Sequence, residues 1–411
     1  MREFDAELYL RLIGERMLTD RDDEYNGTRR PAIAEAALAL VAVEAIDGGR
    51  AEQVLDDYSF AVMLRSAPDQ FLRRYVAGAS PPPPDGAAPL RPRPVVPCAR
   101  TVEHAQDTIE VRYVSLSAES TSVGVIWHPA SVGRTPMRAA LTDDRGTTEA
   151  AHFSGTGSHH GMRGRLITMG PLSPDTSWID LDGNRLELTE QPSRFEATLE
   201  PLAEQDPAHR YLWRRIAEPD QFDGRGIEPA IDALLAAGAL SAEDALLDDV
   251  RAVHEAMQGR VFTPGAPPPP RRPGMPEPWG SLLARNGQDD GPRGSIVLGA
   301  VPPPFDGFSV AVLDLESDEN RFRVDVEVTP AAVHMPYDLG MGPQPLAWWA
   351  RDDRGNHYLG QREQWSHTDH YDHGTVAFHP AIDPRAARLE LLPTGPATRA
   401  VISFALPWST T

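Results

Sequence analysis

The same four residues, Asp-Asp-Arg-Gly, occur twice in this chain of 411 residues, at Asp143 to Gly146 and at Asp352 to Gly355. The two copies are 209 residues apart (352 minus 143). Around each copy the same features follow in the same order: helical periodicity, a run of prolines, then alternating strands. Self-similarity of this kind is the sequence signature of repeated architecture. It predicts a tandem duplication.

Helical periodicity marks the beginning of each predicted copy. Apolar residues recur every three or four positions in 1–78 and again in 201–262, which is typical of helices with one buried face. Prolines are then concentrated in 79–97 and 263–292. Proline lacks a backbone N–H and favours extended chain. The sequence therefore predicts two small helical bundles, each followed by a proline-rich linker.

The remaining segments, 98–200 and 293–411, change to a period of two. Each has roughly six to eight short alternating stretches separated by turn residues, which indicates antiparallel strands with one buried face. We expect an immunoglobulin-like β-sandwich in each segment. The predicted fold class is thus α+β and multidomain: a small helical bundle plus an antiparallel β-sandwich, present twice.

Charge and composition restrict the possible functions. The net charge is −21 and no basic stripe is present, which argues against nucleic acid and anionic membranes as partners. All 39 basic residues are arginines, so lysine-dependent Schiff-base and phosphate-loop chemistry is excluded. Cys98 is the only cysteine, which excludes an intrachain disulfide. With no secretory signal and no long apolar segment, we expect a cytoplasmic protein.

The repeated Asp-Asp-Arg-Gly stretch has two interpretations. Its carboxylates could bind calcium, or its arginines could bind an anion. Asp at the start and Gly at the end of a turn are also what a hairpin turn selects. A calcium site needs several more oxygens close by and no loop of EF-hand form is present, so the turn is the preferred interpretation.

Histidine and aspartate are concentrated after the second turn. His367, Asp369, His370 and His373 are candidate ligands for zinc or another divalent metal, because imidazole and carboxylate bind such ions. A metal-dependent hydrolase using the loop 357–379 is therefore one alternative function. A polar hairpin loop explains the same residues without a metal, and the first copy does not repeat them.

Part of this loop matches a known motif. His367-Thr368-Asp369-His370 resembles a portion of the H-x-H-x-D-H motif of metallo-β-lactamase-type hydrolases. Trp365 occupies the position of the first histidine of that motif, and the family's downstream ligands have no place here. The family is therefore not assigned.

Aromatic residues surround the same region. Trp348, Trp349, Trp365 and Tyr371 could form a recognition surface for a protein or a sugar, because aromatic rings with polar edges are frequent in binding sites. Strand alternation requires one of the adjacent pair Trp348 and Trp349 to point away from its core. A carbohydrate-binding sandwich is the second alternative function.

Other catalytic patterns are absent. The chain has no G-x-S-x-G and no phosphate-binding glycine loop that opens a helix. We therefore predict a non-enzymatic protein-interaction or regulatory protein that needs no cofactor and binds a protein partner.

Overall fold

The protein is described by a computed structural model. It has an α+β fold with two large antiparallel β-sheets and few helices. The structure describes residues 4–19, 32–58, 95–104, 106–116, 120–129, 138–158, 161–188, 195–217, 227–258, 275–285, 290–329, 346–367 and 372–408. Residues 79–94 of the first predicted proline-rich linker, 79–97, lie outside these residues, and its last three residues begin a strand. The second, 263–292, is not only a linker, because its described part contains a helix at Glu277–Ala284.

The described helices lie in two groups along the chain, one at 6–57 and one at 207–284. The described ones are α1 (Ala6–Thr19), α2 (Ala32–Ala42), α3 (Gly48–Asp57), α4 (Pro207–Ile216), α5 (Glu228–Ala236), α6 (Ala245–Gln258) and α7 (Glu277–Ala284). Local signals set their ends, as at α4, where the Asp206 carboxylate accepts the Ala208 and His209 N–H groups and Pro207 opens the helix.

The first sheet contains eight strands. These are β1 (Val95–His104), β2 (Asp107–Leu116), β3 (Thr121–His128), β4 (Arg138–Asp143), β5 (Thr148–Ser158), β6 (Gly161–Thr168), β7 (Trp178–Leu181) and β8 (Asn184–Glu187). They are ordered β1-β2-β3-β6-β5-β4-β7-β8. The first and last strands adjoin, since the Asn184 amide donates to the Glu103 carbonyl at 3.2 Å. The sheet is therefore sandwich-like or barrel-like, curled over its own core.

The second sheet contains nine strands. These are β9 (Phe195–Pro201), β10 (Gly294–Ala300), β11 (Ser309–Ser317), β12 (Phe322–Thr329), β13 (Ala347–Asp352), β14 (His357–His367), β15 (Asp372–His379), β16 (Arg388–Thr394) and β17 (Thr398–Ala405). They are ordered β10-β11-β12-β15-β14-β13-β16-β17-β9. The first eight of these repeat the order of the first sheet strand for strand. The ninth, β9, belongs by sequence to the predicted first sandwich.

The two sheets also share a shift of strand register at equivalent places. The register shifts between Val111 and Tyr113 where β2 meets β3, and between Val312 and Asp314 where β11 meets β12. A bulge of this kind inserts one residue and changes the direction of the strand. Counting from these bulges gives equivalent positions in the two sheets. Tyr113 corresponds to Asp314, and Gly124 corresponds to Asp325.

The helices of the two predicted copies form one shared layer, so two bundles are not evident. Residues of α2 and α5 belong to a single core that also includes the second sheet. The physical reason lies in α2, whose residues from Ile33 to Val41 are all buried. A helix that is apolar around its whole circumference needs neighbours on every side. Helices α1 and α3 cannot cover it alone, so α5 of the other predicted copy completes the packing.

The repeated Asp-Asp-Arg-Gly stretches are matching hairpin turns. Asp143 accepts the Arg145 and Thr147 N–H groups at 3.0 and 2.8 Å, and Asp352 accepts those of Arg354 and Asn356 at 2.9 and 3.0 Å. Each turn ends in a glycine with φ of +82°. A non-glycine residue is strained at that angle. The repeat therefore marks the same turn in both sheets.

Within the described ranges, no helix is both long enough and apolar enough to cross a membrane.

Candidate functional site

The outer faces of the two sheets meet through charged side chains. On the first sheet these come from β2 and β6, and on the second from β11 and β12. Asp314 and Asp325 lie directly opposite each other in the β11–β12 ladder. Opposite residues of neighbouring strands point to the same face. Two buried carboxylates are thus presented side by side to the first sheet.

Arg163 of β6 joins these two carboxylates. Its Nη2 lies 3.0 Å from the Asp314 carboxylate and 3.3 Å from that of Asp325, and its Nη1 donates to Glu316. Burial lowers the pKa of Arg163, but the neighbouring carboxylates of Asp325 and Asp314 outweigh it and the pKa is raised. Arg163 therefore stays a cation that neutralises adjacent negative charges.

Arg165 of β6 is buried still more deeply. Its Nη2 donates to the backbone carbonyls of Val326 and Gly374 at 3.1 and 3.2 Å. Its Nη1 lies 3.5 Å from the Glu327 carboxylate. The guanidinium thus reaches backbone atoms of two strands of the second sheet, a contact that depends on its planar set of donors.

Arg112, the inserted residue of the β2 bulge, completes the cluster. It donates to Glu110 on its own strand at 3.0 Å and to Asp314 at 3.1 Å. Thr375 of β15 donates to Asp325 at 3.0 Å. Each of the three arginines therefore meets at least one carboxylate of the second sheet, and hydrogen bonds satisfy the aspartates, as buried ions require.

Tyr113 also lies at the contact between the two sheets, but its neighbours on the second sheet are apolar. Its side chain is fully buried, and its ring packs on Ala311 and Leu313 of β11. A Cβ at Gly124 would lie 2.1 Å from the Tyr113 ring, so this position requires glycine. Burial raises the pKa of Tyr113. Its neutral hydroxyl has no hydrogen-bond partner in the described part of the chain.

A second buried ion pair joins the two copies in the helical layer. Arg215 of α4 donates from Nε to both carboxylate oxygens of Glu35 in α2, at 3.0 Å each. Tyr211 donates its hydroxyl to Glu35 at 2.8 Å. Glu35 is therefore the polar exception inside an otherwise apolar helix. The layer holds the two copies together by charge as well as by packing.

These buried charged groups hold the sheets and helices in place and do not form a reaction centre. A general acid, base or nucleophile must reach a substrate, whereas Asp314, Glu35 and Arg165 are buried against their partners. The Cys98 thiol is also buried, and burial raises its pKa, which disfavours the reactive thiolate. The arrangement can stabilise one relative orientation of the two sheets.

The predicted metal ligands fall at the β14–β15 hairpin. The ladder places His367 opposite Asp372, and Ser366 opposite His373, so His367 and His373 are not cross-strand partners. His373 is buried on β15, in register with Glu327 of β12. Asp369 and His370 lie outside the described residues. Among the described residues, no group of three or more metal-binding side chains is assembled.

The predicted aromatic surface is divided between two cores. Alternation does send Trp348 and Trp349 to opposite faces, but both are buried. Trp348 lies in the core of the second sheet, while Trp349 packs edge-on against Trp279 of α7 at 4.9 Å between ring centroids. Trp365 is only partly buried, and Tyr371 lies outside the described residues. The adjacent tryptophans therefore anchor the helical layer to the second sheet.

Sequence reasoning missed the contact between the sheets. Arg163, Arg165, Asp325 and Glu327 alternate with apolar residues along their strands, a pattern that normally indicates a solvent-exposed face. The signal that could have identified them is their difference in sign. The outward positions of β6 at this contact carry arginines in the first sheet, whereas those of β12 carry carboxylates in the second sheet.

Comparisons with known proteins give no assignment. No family model matches this chain, and no curated protein matches it. One solved structure, described as the crystal structure of the conserved domain protein from Bacillus anthracis, aligns over 73% of this chain and 77% of that chain. The identity is 9% and the TM-score is 0.19, values too low to support a common fold or function.

Proposed function

We propose that this chain is a non-enzymatic protein-interaction or regulatory protein in which two β-units and one helical layer form a rigid scaffold. The observation that carries this proposal is the buried pairing of charges across the two copies. Glu35 pairs with Arg215, and Arg163 pairs with Asp314 and Asp325. Breaking such a pair leaves an uncompensated buried charge, so these contacts favour one fixed arrangement that could present a constant surface to a partner.

A protein with a basic surface is the partner that fits the charge. The chain carries a net charge of −21, and charges of opposite sign accelerate association and suppress unsuitable partners. We expect an association that weakens as salt concentration rises, because exposed charges are screened.

Cross-linking followed by reconstitution tests this function. The full-length chain is cross-linked to host-cell proteins that bind a cation exchanger, with proteins that bind an anion exchanger as the matched control. Each captured candidate is then purified and titrated calorimetrically at low, physiological and high salt. A 1:1 complex that weakens with salt supports the proposal. If no basic protein binds after purification, the proposal is wrong.

The metal-dependent hydrolase stays a prediction with its own test. Elemental analysis of the purified protein should find stoichiometric zinc or another divalent metal if the loop 357–379 binds one. The metal and any esterase activity should be lost in His367→Ala and His370→Ala. His152→Ala, which changes an exposed histidine of β5, is the matched control and should retain both.

We further propose that the two β-units arose by internal duplication. The common strand order, the two equivalent bulges and the two Asp-Asp-Arg-Gly turns support this. Each unit is one continuous curled sheet, so an immunoglobulin-like relationship is not needed to explain it. A cytoplasmic location is part of the same proposal, and cell fractionation tests it.

A further inference from the structure

Helix α1 carries apolar side chains on the side that faces away from the helical layer. Leu8 and Leu12 are 54% and 61% exposed, whereas Ala6 and Leu10 of the same helix are buried in the core of the layer. Residues four positions apart lie next to each other on one face of a helix. The two leucines therefore form an exposed apolar pair that the packing of the layer does not use.

Three partly buried residues enlarge this pair. Phe4, Tyr9 and Ile13 pack against the core of the layer and keep part of their surface exposed. The rings of Phe4 and Tyr9 lie 5.7 Å apart between centroids. Spacings of three and four residues along α1 connect these side chains to Leu8 and Leu12. Single exposed apolar residues are common, but a contiguous exposed group marks an interaction site.

The helical layer is the most acidic part of the chain. Residues 1–58 and 202–258, which supply helices α1 to α6, contain 26 acidic residues and 12 arginines, a net charge of −14. The other 296 residues account for the remaining −7 of the total of −21. A region with one sign of charge attracts partners of the opposite sign and repels those of the same sign.

Carboxylates lie at both ends of the exposed leucine pair. Asp5 and Glu15 are exposed and lie three residues before Leu8 and three residues after Leu12. The Asp5 carboxylate accepts the Leu8 N–H at 3.0 Å, which holds it at the first turn of α1. Arg16 is exposed on the same side of the helix, so carboxylates outnumber arginines there.

Carboxylates also lie along both sides of α1. On the α3 side, Arg11 pairs with Glu7 and with exposed Asp57, at 3.1 and 2.8 Å, so its positive charge is offset. On the α5 side, exposed Asp232 lies near Tyr9, and burial together with this negative charge raises the pKa of Tyr9. The apolar group of α1 is therefore surrounded by a mainly negative rim.

Shape and charge together select the class of partner. Apolar side chains that follow one face of a helix for about three turns fit the apolar face of a second helix, which anchors at the same spacing. The acidic rim requires that the second helix carry arginines or lysines beside its apolar face. A second copy of this chain would oppose one layer of −14 with another, and an anionic membrane would be repelled in the same way.

We propose that the exposed face of α1, formed by Phe4, Leu8, Tyr9, Leu12 and Ile13, binds a basic amphipathic helix of a partner protein. The inference rests on the proposed function and names the surface that the basic partner uses.

Titration of the full-length chain with designed helical peptides tests this surface. The basic probe is a peptide of about 18 residues made of leucine, alanine and arginine, with its leucines on one face. One control peptide has glutamate in place of arginine, and another has glutamine in place of leucine. Calorimetry should show 1:1 binding of the basic probe that weakens with salt. Both control peptides should bind at least about tenfold more weakly.

Substitution of the two leucines locates the binding. The double variant Leu8→Ser and Leu12→Ser should weaken binding of the basic probe by about tenfold or more, because it removes the apolar anchors. Both side chains are exposed, so the variant should retain its helical circular dichroism. Met169→Ser is the matched control, since Met169 is 82% exposed but follows β6 of the first sheet, and it should leave binding unchanged. Equal binding to the double variant and the unmodified chain would overturn the inference.

A thiol at Leu12 distinguishes the other possible occupants. In Leu12→Cys the new thiol should react rapidly with a maleimide in the free chain and slowly in the presence of the basic probe, while buried Cys98 supplies the background. Slow reaction in the free monomer would mean that another segment of this chain covers α1. A dimer in sedimentation that the double variant dissociates would identify a second copy, and binding to phosphatidylcholine vesicles would identify a membrane. Each of these results contradicts the inference.

Failure of this inference can be told apart from failure of the proposed function. If a purified basic partner binds the double variant as tightly as the unmodified chain, α1 is not its site and the proposed function stands. If no basic protein binds the unmodified chain, the proposed function is wrong and the inference fails with it.

Discussion

The two sheets share a backbone plan and differ in the residues that face each other. Tyr113 and Gly124 of the first sheet correspond to Asp314 and Asp325 of the second. Arg165 pairs with Gly124 as Thr375 pairs with Asp325. Strand order, bulges and turns are set by backbone hydrogen bonds that many side chains tolerate. The residues that face each other across the two sheets are less restricted by the backbone, and here they are complementary in charge rather than identical.

The core-facing sides of the two sheets also differ in their side chains. Both cores use aromatic and branched residues, but Phe153 of the first is replaced by Arg362 in the second. The helical layer also treats the two sheets differently. Helix α7 contacts the second Asp-Asp-Arg-Gly turn, where Ser281 donates to the Gly355 carbonyl at 3.0 Å. The second sheet is therefore more polar inside and more closely supported by the helices outside.

Arg163→Met should have the largest effect on stability. It leaves Asp314 and Asp325 adjacent and buried without the cation that joins them, at a cost of about 3–5 kcal/mol. The free energy of unfolding from urea titration measures this. Arg185→Met, which removes an exposed arginine paired with exposed Glu187, is the control and should cost less than about 1 kcal/mol. Equal costs would show that the contact between the sheets does not stabilise the fold.

Two tyrosine-to-phenylalanine substitutions compare hydroxyl groups in the two sheets. Tyr358 donates to Asp352 at 2.6 Å and accepts from Arg285 at 2.8 Å and from the Asp383 N–H at 3.1 Å. Tyr358→Phe should therefore cost about 1–3 kcal/mol. Tyr113→Phe removes a hydroxyl without a described partner and should change stability by less than about 0.5 kcal/mol. Chemical denaturation of both variants checks the ranking, and the reverse order would contradict the described hydrogen bonds.

Acid should weaken the second sheet and the helical layer. Burial lowers the pKa of His254, His357 and His379. Their neutral forms are favoured in the folded chain, so the unfolded chain binds more protons as pH falls below about 6.5. The contribution of these histidines to the free energy of unfolding should therefore be complete above that pH. Below it, the free energy of unfolding should fall by at most about 1.4 kcal/mol per pH unit for each histidine.

Thermal unfolding between pH 7.5 and 5 measures this decline. His254→Gln should make the fall of the unfolding temperature with decreasing pH less steep. His152→Gln, at an exposed position of β5, serves as the control. If the unfolding temperature of His254→Gln falls with pH as steeply as that of the unmodified chain, buried His254 does not contribute to the loss of stability in acid.

The smallest effects are expected at the repeated turns. Gly146→Ala and Gly355→Ala should each cost about 1 kcal/mol, because both glycines have φ of +82° and a Cβ would meet nothing within 4 Å. The two costs should agree within about 0.5 kcal/mol. Differential scanning calorimetry of both variants tests this, and a larger penalty at Gly355 would mean that α7 constrains its turn.

Local features of the fold could be predicted from the sequence. The Asp-Asp-Arg-Gly turns and the strands around them depend on neighbouring residues, so alternation and turn chemistry were sufficient. The pairing of Arg112 with Asp314 joins residues 202 positions apart, and no periodicity encodes such a distance. The shared helical layer was missed for a related reason. The apolar run of α2 shows that the helix is buried but does not identify α5 as its neighbour.

The candidate sites were predictable only in part. The burial of Arg362 was not predicted, because an arginine in an alternating strand normally points to solvent. Its inward direction follows from the register with Val376, which only the structure supplies. The metal interpretation of His367, Asp369, His370 and His373 rested on sequence proximity, which does not determine the face on which a hairpin places each side chain.

The position of β9 has a mechanical consequence. The chain enters the second sheet at Phe195–Pro201, pairs there with β17, leaves to form helices α4 to α7, and returns to the same sheet at Gly294. In topological terms these helices are an insertion with both ends anchored in one sheet. A pulling force could not detach them without first peeling a strand, and the loop they close is held by a folded frame, which reduces the entropy cost of ordering them.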